Sequence, residues 1–386
     1  MSGLQQNKIE TTFSDKSSSK GCGKPIYQYA DIRSVHLELT HRCNAACPMC
    51  SRNFSGGATN PTLPLVELSL SDAKTIFPEE FVRQLDLVYA CGNYGDPMVA
   101  KDCLEIFAYL RECNPELRLC MHTNGSARRP EWWADMARVM KTGSHYMRFG
   151  IDGLEDTNHL YRRRTNWDLV MANAQAFIDA GGRAEWDYLV FHHNEHQVEQ
   201  ARALSKEMGF KEFYVRKTGR FKSDKDLQTV NRVAVLDNAG EFDYWLEEPT
   251  NPEYLNPAFE DLDQIKQRYG TYGAYLDTVQ IHCKIAEKGK IYISAEGLAL
   301  PCCWLGSIFT TKRSAQRDQF LEIIENAGGR SVLDARKHGI KGVIDGSLFQ
   351  KDISESWDKS SVADGKLATC ARTCGVDFDP LGKQRD

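Results

Sequence analysis

Short apolar alternations and longer helical patterns take turns along residues 31–220. Val35, Leu37 and Leu39 alternate with polar neighbours and run straight into Cys43. Leu85 to Ala90 is an apolar run that stops at Gly92, and Leu117, Leu119, Met121 and Thr123 alternate before Asn124-Gly125. Tyr146 to Ile151 ends at Asp152-Gly153. Trp186 to Phe191 and Phe213 to Val215 complete a set of six strand candidates. Helical patterns fill the gaps. One starts near Ser71, an N-cap residue with Asp72 in its first turn; others cover about 101–113, 131–141, 167–180 and 195–208. Pro130 precedes one and Gly181-Gly182 closes another. Such alternation predicts parallel βαβ units. Six units are too few for a closed eight-stranded barrel. The expected fold class is therefore α/β, a partial (β/α)6 barrel with its site at the C-terminal ends of the strands.

The pattern changes outside this stretch. Residues 1–30 are polar and read as a flexible leader, and 31–221 form the partial barrel. Between 222 and 275 charges, Asn and Pro become frequent, which predicts a connecting segment with some helix. Residues 276–386 read as a smaller C-terminal domain. In it, Lys290 to Ser294 and Leu298 to Leu300 form a hairpin across Ala295-Glu296-Gly297, and 304–366 are poorly patterned.

Composition narrows the chemistry. The net charge of −5 excludes a general nucleic-acid or acidic-membrane binder, and Arg162, Arg163 and Arg164 are only a local basic spot. No signal-peptide pattern is present, and no run approaches the roughly 20 apolar residues of a membrane span. A cytoplasmic location is expected. The 13 cysteines then read as metal ligands or reactive groups rather than disulfides. The scattered ones, Cys22, Cys91, Cys103, Cys113 and Cys120, read as small buried hydrophobes.

Cys43, Cys47 and Cys50 have the spacing C-x3-C-x2-C directly after the first strand. Three thiolates on one loop can ligate three irons of a cubane and leave the fourth open, as a reactive cluster requires. A structural zinc site completed by His41 is the alternative. Here the chain resembles the radical S-adenosylmethionine (SAM) superfamily, whose signature is C-x3-C-x-aromatic-C, with Met49 in the aromatic position that shields the cofactor's adenine. Gly92-Asn93-Tyr94-Gly95-Asp96-Pro97 looks like the family's GGEP-type turn, which receives the methionine ammonium, with Asp96 replacing Glu. Thr123-Asn124, Asp152, an arginine of the Arg162–Arg164 run and Asn194 stand at later strand ends, where the family places cofactor contacts. Arg162 and Arg164 are the candidates to pair with the cofactor carboxylate. The resemblance implies reductive cleavage of SAM at a [4Fe–4S] cluster to methionine and a 5′-deoxyadenosyl radical, which abstracts a substrate hydrogen. It also implies an external electron donor of the flavodoxin or ferredoxin type.

Cys283, Gly297 and Cys302, then a distant Cys370-x3-Cys374, resemble the auxiliary-cluster domain called Twitch, the shorter relative of SPASM. That resemblance implies a second [4Fe–4S] cluster on Cys283, Cys302, Cys370 and Cys374, acting as an electron relay. Adjacent Cys303 competes with Cys302, but neighbouring hairpin residues point to opposite faces and the Gly-x4-Cys spacing favours Cys302. A zinc ribbon or unliganded structural cysteines are the alternatives.

Families of this architecture include peptide maturases and small-molecule dehydrogenases. The Gly-Arg-Arg ending of the molybdenum-cofactor cyclase is absent from Gly382-Lys383-Gln384-Arg385-Asp386. Some 30 residues before the first strand are too few for a winged-helix leader-binding domain, so a separate leader-peptide-binding protein is expected for a peptide substrate. The segments 222–275 and 304–366 can wall a larger substrate, which favours peptide or protein modification. Oxidation of an aminocyclitol or sugar is the alternative. A non-catalytic iron–sulfur electron carrier is the third class, and it would not need the turns at successive strand ends.

Overall fold

A computed structural model describes residues 26–375, apart from 142, 222–229 and 310–313. Residues 1–25 of the expected leader 1–30, with Cys22, and the last residues from 376 lie outside the described residues. Ten strands are present among the described residues: β1 Ser34–Leu37, β2 Leu87–Ala90, β3 Arg118–Thr123, β4 Tyr146–Gly150, β5 Ala184–Leu189, β6 Glu212–Arg216, β7 Arg232–Leu236, β8 Phe242–Glu247, β9 Lys290–Ile293 and β10 Ala299–Leu300. Eight of them make one open sheet in the order β10-β9-β1-β2-β3-β4-β5-β6. β1 to β6 run parallel, as the βαβ pattern requires. The C-terminal hairpin β9–β10 joins this sheet, because β9 pairs in parallel with β1 from Ser34↔Lys290 to Leu37↔Ile293.

The helices between the strands fall close to their expected positions. The first differs: Ser69, not Ser71, caps Leu70–Ile76. Its hydroxyl accepts from the Asp72 amide at 3.1 Å, and the Asp72 carboxylate accepts from the Ser69 amide at 3.0 Å. This reciprocal box needs the acid three residues after the cap, a spacing that Ser71 lacks.

The two faces of the parallel sheet differ in chemistry. Leu37, Val88, Leu119, Met147, Phe149 and Trp186 are buried under the helices in one apolar core. The alternate positions, among them His122, Arg148, Asp187 and Arg216, line the concave side. Closed barrels fill that side with branched aliphatics. Here it carries polar and charged groups, so the same alternation that marks the strands also writes the cavity wall.

The connecting segment contains more order than expected. β7 and β8 form a two-stranded antiparallel sheet, followed by helices Ala258–Tyr269 and Tyr272–Thr278. The hairpin packs on the cysteine loop, where the Leu236 amide donates to the Ser55 carbonyl at 2.9 Å. A Cβ on Gly57 would lie 2.2 Å from the Asp237 carbonyl oxygen, so only glycine allows this approach. The C-terminal region has its own core around Leu300, Leu305, Phe320 and Leu333. Its poorly patterned stretch holds helices Ala315–Asn326, Ala335–Ile344 and Ile353–Trp357.

Candidate active site

The loop after β1 carries Cys43, Cys47 and Cys50 into a cavity of about 470 Å³ at the C-terminal ends of the strands. Hydrogen-bond donors surround two of the sulfurs. The Ala45 amide and the Asn124 side-chain amide lie 3.4 and 3.7 Å from Cys43 Sγ, and Arg162 Nη1 lies 3.8 Å from Cys47 Sγ. Burial nevertheless pushes the Cys43 thiol well up and the Cys47 thiol to about 11. Three cysteine sulfurs from one short loop face one cavity, a donor set that fits a thiolate-held cluster. Among the described residues no three His, Cys, Asp or Glu side chains close around a point as ligands of a single ion do. A cubane is several ångströms across and holds its thiolates farther apart than one ion would. His41, the expected zinc partner, does not line the cavity; its buried ring packs edge-on against Tyr94.

The Gly92–Asp96 turn lies beside this loop. A Cβ on Gly95 would lie 1.7 Å from the Thr40 carbonyl oxygen, and one on Gly92 would lie 1.9 Å from that of Gly95. Glycine is required at both, and the Asp96 amide donates to the Arg42 carbonyl at 2.9 Å. Asp96 itself is committed. Its carboxylate accepts from Thr123 Oγ1, the Asn124 amide and Asn124 Nδ2, each at 2.8 Å. It braces the ends of β2 and β3, and burial raises its pKa against these bonds. Tyr94 is buried, and its hydroxyl donates to the Ser307 carbonyl in the C-terminal region.

Asp152 is fully buried, accepting from Arg162 Nε and the Leu189 amide, both at 2.6 Å. Arg162 thereby lies across the end of β4, over Gly150, where a Cβ would sit 2.2 Å from the guanidinium. The other two arginines of the run turn away. Arg163 pairs with Asp243 at 2.8 Å, and Arg164 donates to Asn238 and to the Gly57 carbonyl, anchoring the β7–β8 hairpin. Asn194 also departs from its expected cofactor role. It is fully buried, donates to the carbonyls of Asp152 and Leu189, and lies outside the cavity lining. Met49 packs with Tyr161 and Phe191 beside the cysteine loop and likewise does not line the cavity.

Other groups escaped the sequence reading. Glu38 is fully buried, and its carboxylate accepts from the Tyr94 and Gly95 amides at 2.8 and 3.3 Å and from the Tyr292 hydroxyl of β9. Burial lifts its pKa to about 7. Arg148, Asp187 and Arg216 line the wall opposite this turn. Their signal was the polar half of each strand's alternation, which marks a wall once the sheet is known to curve.

The structure brings Cys283, Cys302, Cys370 and Cys374 together. The proximity of Cys283 and Cys374 lowers the Cys283 thiol to about 6 and raises that of Cys374. Cys302 and Cys370 are close enough to raise the Cys374 thiol further by charge, and all but Cys283 sit in the C-terminal core. Tyr27 Oη lies 3.6 Å from Cys283 Sγ, so part of the expected leader is packed here. Cys302 caps helix Cys303–Ile308 rather than standing in the hairpin, and it faces this group. Cys303 faces Cys91 and Glu38 instead.

The fold is a parallel, open α/β barrel with three cysteines after its first strand and a polar concave wall. Residues 37–204 match the model of the Radical SAM superfamily, from the last residue of β1 into the helix after β5. Residues 37–204 are thus similar to a radical SAM domain, a family whose members hold a [4Fe–4S] cluster and SAM. Among solved structures the chain is similar to SuiB of Streptococcus suis bound to precursor peptide SuiA, with a TM-score of 0.50 at 13% identity, covering 88% of this chain and 70% of that one. It also aligns with native anSMEcpe with bound AdoMet, at TM-score 0.47 and 12% identity over 86% of this chain and 88% of that one. A third structure, BtrN in complex with AdoMet and 2-DOIA, aligns at TM-score 0.38 and 12% identity over 88% and 92%. At these identities the likeness to SuiB is one of fold.

Proposed function

We propose that the chain is a radical SAM enzyme that takes a hydrogen atom from a peptide or protein substrate, with Cys283, Cys302, Cys370 and Cys374 holding an auxiliary cluster. The observation that carries this reading is the placement of Cys43, Cys47 and Cys50 in one cavity with the Gly92–Asp96 turn and the Asp152–Arg162 pair. When bound, the cluster and SAM supply reductive cleavage of a carbon–sulfur bond and a radical able to abstract hydrogen. The chain's own residues bind and orient. Cys43, Cys47 and Cys50 would hold the cluster, while Asn124 and Arg162 would stabilise the charge on its sulfurs. Gly92 and Gly95 let backbone acceptors approach a methionine ammonium. Arg162, its Nε committed to Asp152, has a second edge to offer a carboxylate.

The four C-terminal cysteines, three of them buried and all mutually close, supply a full ligand set and therefore suit an electron relay. The fold itself is able to hold a precursor peptide, as the SuiB structure with SuiA does. Oxidation of a small molecule is the second reading, favoured by a cavity of only about 470 Å³. Anaerobic incubation with SAM, a reductant and each candidate substrate tests the proposal. Deuterium transfer from a labelled peptide into 5′-deoxyadenosine supports the first reading. Transfer only from a labelled aminocyclitol supports the second, and absence of 5′-deoxyadenosine contradicts both.

A further inference from the structure

We infer that the cavity wall formed by β4, β5 and β6 binds a carboxylate carried by the substrate, with Arg148 and Arg216 as its anchors. This rests on the proposed function only for what happens to the anchored molecule; the binding chemistry stands on the wall itself.

The two guanidinium groups are held in place. Arg148 Nε and Nη2 donate to Glu185 Oε2 at 3.1 and 2.6 Å, and Arg216 Nε and Nη2 donate to Asp187 Oδ1 at 3.0 and 2.8 Å. Asp187 also lies 3.6 Å from Arg148, so one carboxylate ties the pair together. Tyr214 lies under both, 4.8 Å from the Arg148 guanidinium carbon and 4.6 Å from that of Arg216. Tyr146 adds a second ring at 4.7 Å from Arg148. The side chains are only 10% and 14% exposed. Rings and carboxylates fix these cations before any ligand arrives.

The bonding uses one edge of each fork. Among the described residues, Nη1 of Arg148 and of Arg216 donates to nothing, and neither atom is a buried orphan. Both arginines line the cavity, so these edges open into it. A guanidinium presents donors suited to a planar carboxylate. Glu185 and Asp187 engage the anchors through Nε and Nη2, which leaves the Nη1 edges for the ligand, and Asp152 is matched by Arg162.

The test uses the full chain, reconstituted anaerobically and loaded with SAM so that the cofactor's carboxylate is already seated. Calorimetric titrations compare N-acetyl-Gly-Gly-Glu-Gly-Gly-amide, its Gln counterpart and free glutarate. The Glu peptide or glutarate is expected to bind at least about tenfold more tightly than the Gln peptide, since a charge-assisted bond is at stake. The tighter of the two shows whether the carboxylate belongs to a peptide or a small molecule. Arg216→Gln should remove the preference, while Arg216→Lys, which keeps the charge and guards against a folding defect, should retain part of it. Equal binding of Glu and Gln peptides without glutarate binding, no binding of any probe, or a preference that survives in the Arg148→Gln/Arg216→Gln variant would overturn the inference. Formation of 5′-deoxyadenosine is measured separately. Protein that cleaves SAM but ignores the carboxylate sinks only this inference, and the converse result sinks only the radical SAM reading.

Discussion

Asp152 shows how one buried residue organises the site. Its carboxylate has no exposed surface and holds Arg162 at 2.6 Å, within 3.8 Å of Cys47 through Nη1. Removing one member of a buried pair leaves the other charge uncompensated, typically at a cost of about 3–5 kcal/mol. Arg162 is partly open to the cavity, so Asp152→Asn is expected to cost about 2–3 kcal/mol, read as a lower urea midpoint at unchanged slope. An unchanged midpoint would show that the pair does not brace β4. Gly95 offers a steric counterpart. Gly95→Ala places a Cβ 1.7 Å from the Thr40 carbonyl oxygen. Backbone must then shift beside the cysteine loop, and SAM affinity measured by equilibrium dialysis should fall at least about tenfold.

At the scale of elements, β1 joins the two halves of the chain through Glu38. Its carboxylate holds the amides of the Gly92–Asp96 turn on one side and the Tyr292 hydroxyl of β9 on the other. Burial raises its folded pKa from 4.5 to about 7. A raised folded pKa means that its contribution to stability is complete below about pH 4.5 and is lost as pH rises towards and through 7. The loss is on the order of 3 kcal/mol across that window. Glu38→Gln, neutral at every pH, should flatten the dependence of the urea midpoint between pH 5 and 8; a slope equal to that of the unsubstituted chain would remove Glu38 as its source.

The six parallel strands and their order of helices were legible because period-2 and period-3.6 patterns alternate cleanly between residues 31 and 220. The hairpin β7–β8 was not, although Val233 and Val235 alternate, because the charges and prolines after Glu247 dominate the segment. Within the site, residues tied to local spacing were readable: the three cysteines and the glycines of the turn. Arg164 and Asn194 were misplaced because position at a strand end says nothing about which way a side chain turns. Arg148 and Arg216 were missed because they matter only once distant strands curve into one wall.

The whole molecule is a barrel sheet extended by a C-terminal hairpin that brings a second cysteine group beside it. β9 pairs with β1, and Tyr94 of the turn donates to Ser307 of the C-terminal region, so the two cysteine sets share one framework. If each set holds a [4Fe–4S] cluster, anaerobically purified protein should carry about eight irons and eight sulfides per chain. Cys370→Ala/Cys374→Ala should lower this to about four of each while SAM cleavage without substrate persists. Unchanged iron would place the second cluster elsewhere, and zinc in its stead would support a zinc ribbon.

The proposed chemistry starts at the loop after β1. Its central measurement is the yield of 5′-deoxyadenosine when reconstituted protein is incubated anaerobically with SAM and dithionite. The unsubstituted chain should form it, and Cys43→Ala/Cys47→Ala/Cys50→Ala should form none while keeping the iron held by Cys283, Cys302, Cys370 and Cys374. Product from the triple variant at the rate of the unsubstituted chain, or none from the unsubstituted chain with its iron in place, would contradict the account.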